Sequence, residues 1–317
     1  MADGSAALDL TGVVAASVTP FKDDESLDLD RLAAHLDFLV DGGCSGILVL
    51  GGAGEYVNLS RGEREEVTRA AVAAIDGRVP VIVGALSPST REVLEVAEFS
   101  ARAGADALLA LPPYYIRTSN SGIVEHFRQI ADGVGMPVIA YNQPGRVVVS
   151  MSLETLNEIA DIPGVIGVKD CDRDLAALQI KIERLEPRMQ VISGDEDLGF
   201  YTILAGARSG IWATPNLVPW LYVDLFEACV AGDLDRARSL QSIVLELVGA
   251  RQGPNHPGPL KEMMGMVGRG VGPGRRPLMP MSEGERSRAS AIMARHADLL
   301  KDRPEQQVQR KKKRALG

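Results

Sequence analysis

Aromatic residues and cysteines are scarce in this chain of 317 residues. Aromatic side chains make up only 4% of the sequence, so its core has to be built mainly from aliphatic side chains. The three cysteines (Cys44, Cys171 and Cys229) are odd in number and widely spaced, which argues against a disulfide framework and favours a reducing, cytoplasmic compartment. Cysteine pairs, an H-E-x-x-H motif and a P-loop are also absent, so the usual signatures of zinc and nucleotide sites are missing.

Long apolar runs and an excess of basic charge are missing as well. No apolar run approaches the ~18 residues of a membrane-spanning helix, and the first residues lack the basic and apolar regions of a signal peptide. With 34 Lys and Arg against 42 Asp and Glu, the net charge is −8, so neither nucleic acid nor an anionic membrane is expected as a partner. The exception is the basic run at 310–314, and residues 304–317 are expected to form a disordered tail.

Short apolar runs alternate with segments of helical periodicity as far as about residue 215. The predicted strands cover residues 13–17, 46–50, 79–85, 105–111, 137–141, 165–168, 190–193 and 209–213. This alternation predicts an α/β protein with parallel strands. No glycine-rich phosphate loop follows the first strand, which favours a closed (β/α)8 TIM barrel over an open doubly wound sheet.

The chain beyond residue 215 has a different character. Helical periodicity marks three segments there, at residues 221–230, 234–248 and 283–300. A connection rich in glycine and proline, at 253–280, separates the last two. We therefore predict a barrel core over residues 1–215 and a C-terminal helical extension over residues 216–303 that covers one side of the barrel or mediates oligomer contacts.

Lys169 is the candidate nucleophile at the predicted strand ends. It follows the apolar run at 165–168, and Tyr141 ends the preceding strand. Both side chains are therefore expected at the C-terminal edge of neighbouring parallel strands, where barrel enzymes build their active sites. A lysine at the end of a buried strand is unfavourable unless it is paired or its pKa is lowered. It could pair with a carboxylate or reach solvent, or its neutral amine could attack a ketone and form a Schiff base, with the Tyr141 phenol as proton shuttle.

Other polar groups are expected at the same edge of the barrel. The predicted strand ends also contribute the loop 51–55, Thr19, Tyr114, Tyr115, Arg146, Asp195 and Trp212. None of the four histidines falls there, so neither a metal centre nor a Ser-His-Asp triad is expected. Asp170 and Asp195 are expected to cap the turns after their strands, and Glu55 to pair with a loop partner.

The order and spacing of these pieces resemble the dihydrodipicolinate synthase and N-acetylneuraminate lyase family, whose members are pyruvate-dependent class I aldolases and related lyases. The resemblance covers nearly the whole chain. The matching segments are V-T-P-F at 18–21, G-G-A-G-E-Y-V-N-L at 51–59, P-Y-Y at 113–115, Y-N-Q-P at 141–144, G-V-K-D at 167–170, S-G-D at 193–195 and P-L-K at 259–261. The resemblance implies a carbon–carbon lyase or aldolase whose covalent lysine imine takes the place of a cofactor.

The resemblance also implies catalytic roles. Lys169 would form the imine with the C2 ketone of pyruvate or a related 2-oxo acid, and Tyr141 would protonate the carbinolamine and shuttle protons to the second substrate. That second substrate would be an aldehyde or a 2-oxo acid. Tyr115 would reach across a dimer interface into the partner's site, which implies a homodimer or homotetramer. The alternative for Tyr141 is a buried tyrosine that packs the top of the barrel.

The resemblance implies binding roles for four further residues. The amides of Gly52 and Ala53 would hold the carboxylate of the 2-oxo acid. Arg146 would bind the carboxylate of the second substrate, or else be a solvated loop arginine or part of an interface pair. Gly52 and Ala53 replace the hydroxyl residues usual in the family, which removes a proton-relay group and enlarges the pocket. Trp212, at the position of a small aliphatic residue near the bound pyruvate, would refill part of it. Both departures count against lysine-pathway synthase activity but not against the imine.

Two other functions stay open at this point. A dehydratase acting on a 2-oxo sugar acid would eliminate water through the same lysine imine. A non-catalytic 2-oxo-acid binder would keep the pocket but lose the proton relay, an outcome that the altered residues at 52 and 53 would allow.

Overall fold

Eight short parallel strands pair in chain order, and the last closes on the first to form a barrel. The computed structural model describes residues 8–186 and 188–301, so the predicted tail at 304–317 lies outside the described residues. The strands are β1 Gly12–Ala16, β2 Gly46–Val49, β3 Val81–Ala85, β4 Ala107–Ala110, β5 Val138–Asn142, β6 Val165–Asp170, β7 Gln190–Ser193 and β8 Ser209–Trp212. The predicted (β/α)8 barrel is therefore confirmed, and the open doubly wound sheet is excluded.

Helices alternate with the strands and continue beyond the barrel. They are α1 Leu29–Asp41, α2 Arg61–Ile75, α3 Thr90–Ala103, α4 Asn120–Val134, α5 Leu153–Ala160, α6 Leu175–Leu185, α7 Gly199–Leu204, α8 Pro219–Val230, α9 Leu234–Arg251, α10 Gly258–Met266 and α11 Glu283–Arg295. Within the described ranges, no helix combines the length and apolar character that crossing a bilayer requires.

Local sequence signals set several helix starts. Ser60 and Glu63 form the predicted capping box of α2, each side chain accepting the other residue's backbone N–H. Ser152 caps α5 by accepting the N–H of Thr155. Ser89 stands at the N-cap of α3 without a side-chain bond. These caps satisfy amides that the first turn of a helix leaves unpaired, so they fix where each helix begins.

The strands are buried on both faces, between the barrel interior and the surrounding helices. Every residue of β3 (VIVGA) and β4 (ALLA) is buried, for example. A parallel strand covered on both sides has no solvent face to mark with polar residues. This explains why the strands appear in the sequence as continuous apolar runs rather than as an alternating pattern.

The C-terminal region differs from its prediction in two ways. Helix α8 packs on β1 and α9, so the helix layer of the barrel extends past the predicted boundary at residue 215. The connection at 253–280 contains a helix, α10, where an irregular segment was predicted. Gly258 and Pro259 open α10 with loop-like composition, but Leu260, Met263 and Met264 are buried at helical spacing. Tertiary burial thus overrides the local composition.

The extension is joined to the loop after β2 by a buried ion pair. Nζ of Lys261 in α10 lies 2.5 Å from Oε1 of Glu55, and both side chains are almost fully buried. The same ammonium donates to the carbonyl of Pro273 at 2.9 Å, and the backbone N–H of Arg275 donates to Oε2 of Glu55 at 2.9 Å. The predicted loop partner of Glu55 is therefore Lys261, and the extension packs over the C-terminal ends of the strands.

Candidate active site

A cavity of about 540 Å³ opens at the C-terminal ends of the barrel strands. Five residues predicted from the sequence line it together: Gly52, Ala53, Tyr141, Arg146 and Lys169. They come from three places in the chain, namely the loop after β2, the end of β5 with its following turn, and the end of β6. The barrel therefore gathers residues that are more than a hundred positions apart.

Strand register places Tyr141 and Lys169 side by side. The two residues are paired neighbours on β5 and β6, and Nζ of Lys169 lies 4.5 Å from the centroid of the Tyr141 ring. The next residues along, Asn142 and Asp170, are paired too, and Nδ2 of Asn142 donates to Oδ1 of Asp170 at 2.6 Å. Nζ of Lys181 holds the other oxygen of Asp170 at 2.8 Å. Because side chains alternate along a strand, this clip behind the barrel wall fixes Tyr141 and Lys169 on the cavity side.

Lys169 is a buried amine without a partner. The residue is 7% exposed. It makes no hydrogen bond or ion pair with any residue in the described ranges, so the carboxylate pairing considered from the sequence is not found. Burial lowers the pKa of Lys169, and the nearby Arg146 guanidinium lowers it further. Both effects favour the neutral amine, the nucleophilic form that attacks a carbonyl carbon.

Tyr141 is held as a protonated phenol. Nε2 of Gln143 donates to its oxygen at 3.3 Å. Burial raises the pKa of Tyr141 above its ordinary value, and the adjacent Cys171 adds to the effect. Burial also raises the pKa of the Cys171 thiol to about 12. At neutral pH the phenol can therefore donate a proton to a neighbouring oxygen.

The loop after β2 presents two unused amides to the cavity. The N–H groups of Gly52 and Ala53 donate no hydrogen bond within the part of the chain that the structure describes. The loop is held from below by Thr19, whose hydroxyl donates to the carbonyl of Gly54 at 2.7 Å. Adjacent free amides form a small anion site, and a carboxylate is one of the anions that such a site binds.

Gly52 leaves the side of the cavity near Arg146 open. A Cβ at Gly52 would lie 3.5 Å from Nη1 of Arg146, an ordinary contact distance. The guanidinium of Arg146 forms no ion pair with the residues that the structure describes. An exposed glycine and an unpaired cation together leave space and positive charge for the negatively charged end of a ligand.

His256 lines the cavity, so the prediction that no histidine lies in the site is wrong. Arg251 pairs with Glu196, donates from Nε to the Thr214 hydroxyl at 2.6 Å, and places Nη1 3.4 Å from Nδ1 of His256. An arginine only donates, so Nδ1 accepts and Nε2 carries the proton. Burial lowers the pKa of His256 well below its ordinary value, which keeps the ring neutral.

Sequence reasoning missed His256 and Arg251 because helical and strand periodicity do not report how a long connection folds back. The segment after α9 returns over the strand ends and brings His256 there. One usable signal was its position three residues before the matching segment P-L-K at 259–261.

Asp195 also lines the cavity, but it does not cap its turn as expected. Its side chain makes no capping bond to the short turn that follows β7. Asp170, by contrast, accepts the N–H of Asp172 at 3.4 Å as a turn cap would. Burial raises the pKa of Asp195 to about 6, against the lowering effect of Arg173.

Trp212 lies outside the cavity, contrary to the prediction that it refills the pocket. Its ring packs on Tyr222 of α8, with ring centroids 5.6 Å apart, and it is 1% exposed. The neighbouring Ile211 lines the cavity instead. Alternation along β8 explains the difference, because successive side chains of a strand face opposite sides. Trp212 is therefore a packing residue between the barrel wall and the helices.

Tyr115 lies at the surface, away from the cavity of its own chain. It is 91% exposed, and its φ of 69° is in the left-handed region, which is unfavourable for a residue with a Cβ. Tyr114 lines the cavity, and its hydroxyl donates to the carbonyl of Leu86 at 2.8 Å. The predicted role of Tyr115 in a partner's site stays a prediction.

Metal-binding groups do not gather in this cavity. Within residues 8–186 and 188–301, no cluster of three or more His, Cys, Asp or Glu side chains is arranged to hold a metal ion. The chemistry available from the described residues is thus a neutral amine, a phenol, a carboxyl group with a raised pKa, and amides and a guanidinium for binding anions.

Known proteins match the chain along most of its length. A family model described as the dihydrodipicolinate synthetase family matches residues 9–296. The 4-hydroxy-tetrahydrodipicolinate synthase of Nitrosomonas eutropha is 39% identical over 232 residues, which cover 73% of this chain and 80% of that protein. The 4-hydroxy-tetrahydrodipicolinate synthase of Leptothrix cholodnii is 36% identical over 291 residues, which cover 92% of this chain and 99% of that protein.

Solved structures agree with the sequence matches. The crystal structure of the chloride-inhibited dihydrodipicolinate synthase from Acinetobacter baumannii complexed with pyruvate has a TM-score of 0.87 and 30% identity, and the match covers 90% of this chain and 98% of that chain. Since a single family model spans nearly all the described residues, the chain belongs to the dihydrodipicolinate synthetase family and is a lyase of the class I aldolase type.

Proposed function

We propose that this chain condenses pyruvate with an aldehyde or a 2-oxo acid, or catalyses the reverse cleavage, through an imine on Lys169. The observation that carries the proposal is a buried, unpaired lysine with a lowered pKa beside a protonated tyrosine. Further support comes from the printed names of the relatives, which are synthases, and from the related structure that holds pyruvate.

The first steps use the groups at the ends of β5 and β6 and the loop after β2. The amides of Gly52 and Ala53 bind the pyruvate carboxylate and turn its C2 carbonyl towards Lys169. The neutral amine attacks C2, and Tyr141 donates a proton to the carbinolamine oxygen, which leaves as water. The resulting imine is an electron sink, which makes C3 an enamine nucleophile or lets a C3–C4 bond break in reverse. The imine takes the place of a dissociable cofactor.

Arg146 is proposed to bind the carboxylate of the second substrate. Its guanidinium has no ion-pair partner among the described residues, and Gly52 leaves the space beside it open. An arginine presents a planar fork of donors that matches a carboxylate. An acceptor with a carboxylate end would therefore bind better than a neutral acceptor of similar size.

Tyr115 is proposed to contribute to the cavity of a second copy of the chain. A tyrosine that is 91% exposed, at a backbone conformation unfavourable for it, is unexplained in a single chain. A homodimer or homotetramer in which Tyr115 becomes buried would account for both features. Sedimentation of the wild type and of Tyr115→Ala tests this: we expect a larger species for the wild type and a smaller one, with lower activity, for the variant.

Neither alternative from the sequence gains support from an independent observation. A dehydratase would use the same lysine imine, but the relatives quoted above are named as synthases. A non-catalytic binder was suggested by the altered residues at 52 and 53, yet the amine and phenol needed for catalysis remain side by side. The aldolase is therefore the function that the geometry supports best.

Reductive trapping tests the proposal. The protein is mixed with pyruvate and sodium borohydride, and any adduct is located by intact mass and peptide mapping. We expect one adduct, on Lys169, and none in Lys169→Ala; the variant Lys22→Ala, which removes an exposed lysine, is the matched control and should trap like the wild type. No adduct with pyruvate or with longer 2-oxo acids, or undiminished labelling of Lys169→Ala, would refute the proposal.

A further inference from the structure

Asp195 differs from the other acidic residues at the cavity because one of its carboxyl oxygens has no partner. Its Oδ2 is buried and makes no hydrogen bond within the part of the chain that the structure describes. Its Oδ1 has a long contact, 3.8 Å, with Nη1 of Arg173. An unpaired buried carboxyl oxygen is unfavourable for folding, so its presence in a reaction cavity points to a use there.

The backbone places Asp195 beside the lysine on the side away from Tyr141. β6 lies between β5 and β7 in the barrel, and the N–H of Gly194 donates to the carbonyl of Asp170 at 2.9 Å. Asp195 thus begins its loop directly next to the end of β6. Its carboxylate and the ammonium form of Lys169 interact electrostatically. Lys169 is therefore flanked by a phenol on one strand end and a carboxyl group on the other.

The other potential bases at the cavity are occupied or hold their protons. Three described carboxylates there are in ion pairs: Glu55 with Lys261, Glu196 with Arg251, and Asp197 with Arg173. Burial raises the pKa of the Tyr141 phenol above its ordinary value and that of the Cys171 thiol to about 12, so neither is a base near neutral pH. His256 already accepts on Nδ1, and its Nε2 carries a proton. Among the described cavity residues, this leaves Asp195.

We propose that Asp195 is a second catalytic residue, which takes a proton from C3 of the pyruvate imine and returns it to the acceptor. The inference rests on the imine proposed above. Removal of the C3 proton by the carboxylate moves the C–H electron pair into a C2–C3 double bond and the C=N π pair onto nitrogen, which gives the enamine and a carboxylic acid. As C3 attacks the aldehyde carbon, the C=O π pair moves to oxygen, which takes the proton back. The carboxylate is regenerated, and no other reactant is needed.

The surroundings of Asp195 suit proton transfer in both directions. Burial raises its pKa to about 6, close to the pH at which a cytosolic enzyme works, and a group with such a pKa can both accept and release a proton. The charged and titratable groups that act on it are Lys169, Cys171 and Arg173 from β6 and the turn after it, Glu196 and Asp197 from its own loop, and Arg251 from α9 through its pair with Glu196. The basic form is the carboxylate, so C3 proton removal should become faster as the pH rises through about 6.

Exchange of the pyruvate methyl protons with deuterium oxide tests this step without an acceptor. The loss of the methyl signal is followed by proton NMR at saturating pyruvate, and imine formation is measured in parallel by borohydride trapping. For Asp195→Asn we expect exchange to slow by about 10²- to 10⁴-fold, the usual range for a lost general base, with trapping on Lys169 retained. Asp195→Glu should recover part of the exchange. The wild-type rate should rise through pH about 6, and this rise should be absent in Asp195→Asn.

Asp197→Asn is the matched control. It removes a neighbouring carboxylate whose charge raises the pKa of Asp195, and it frees Arg173, which lowers it. Its exchange rate on the high-pH plateau should equal that of the wild type, with the rise moved to lower pH. Undiminished exchange in Asp195→Asn, loss of trapping in that variant, or a wild type that traps pyruvate without exchanging it would each overturn the inference. A wild type that does not trap at all would refute the imine itself, and this inference with it.

Discussion

The two sides of the cavity treat their charged groups differently. We call the ends of β5, β6 and β7 the wall, and the segment 251–278, which returns over them, the roof. On the wall, Lys169 has no partner and Asp195 has a buried oxygen without one, within the described residues. In the roof, Arg251 and Lys261 are both in ion pairs. Unpaired groups with shifted pKa values can react, whereas paired groups give shape and stability.

The comparison of two buried lysines shows what this difference means. Lys169 and Lys261 are both buried, and burial lowers the pKa of each. Glu55 opposes this effect at Lys261 by ion pairing and hydrogen bonding, while Lys169 has no such bonded partner in the described ranges. The same residue type is therefore a nucleophile at the wall and a structural cation in the roof.

The largest expected effect is on the wall. Lys169→Met removes the proposed nucleophile, so turnover should fall by at least about 10⁴-fold, as when a covalent nucleophile is lost. Because Lys169 is buried without a bonded partner, its apparent melting temperature should stay the same or rise. Steady-state kinetics and thermal unfolding of the same preparation check both statements. Full turnover in Lys169→Met would end the comparison.

The next effect is the loss of the phenolic proton. Tyr141→Phe keeps the ring that lies 4.5 Å from the amine but removes the hydroxyl, so we expect kcat to fall by about 10²- to 10⁴-fold. Borohydride trapping should still succeed at long incubation, at a reduced rate. Tyr114→Phe is the control, because that hydroxyl is already spent on the carbonyl of Leu86. Equal kcat values for Tyr141→Phe and the wild type would contradict the proton-donor role.

In the roof, the expected effect is on stability. Lys261→Met leaves the buried carboxylate of Glu55 without its cation, and breaking a buried ion pair in this way typically destabilises by about 3–5 kcal/mol. The double variant Glu55→Gln with Lys261→Met removes both charges and should recover much of that loss. Thermal unfolding of wild type, both single variants and the double variant measures the coupling. Additive losses in the double variant would show that the two residues do not act as a pair.

The smallest effect is expected at Trp212, behind the wall. Its indole Nε1 is buried without a hydrogen-bond partner in the described residues, so Trp212→Phe loses packing but no bond. We expect a KM for pyruvate within about twofold of the wild type and a decrease in stability of about 1–3 kcal/mol. A large change in KM with unchanged stability would return Trp212 to the cavity.

The wall could be predicted from the sequence because each of its residues follows a recognisable strand. The apolar runs before Tyr141 and Lys169 identify β5 and β6, and parallel strands in a barrel end on the same side. Sequence patterns therefore gave the barrel and the pair at its centre. They did not give the direction of Trp212, because a buried parallel strand has no polar alternation from which its inward and outward positions could be told apart.

The roof could not be predicted in the same way. Gly258 and Pro259 gave α10 the composition of a loop, and nothing in periodicity shows that the segment folds back to bring His256 over the strand ends. The expected capping role of Asp195 was a reasonable inference for an aspartate after a strand. Its unpaired oxygen results from the arrangement of neighbours distant in sequence, which single-sequence patterns do not contain.

The most direct test of the central claim, that Lys169 forms an imine because the wall leaves it neutral and unpaired, is carbon NMR of the protein with pyruvate labelled at C2. The account predicts a new protein-bound resonance at an imine shift in the wild type and in Lys261→Met at temperatures where that variant is folded, and none in Lys169→Met. A wild type that shows only free and non-covalently bound ketone, or an imine signal that persists in Lys169→Met, would contradict it.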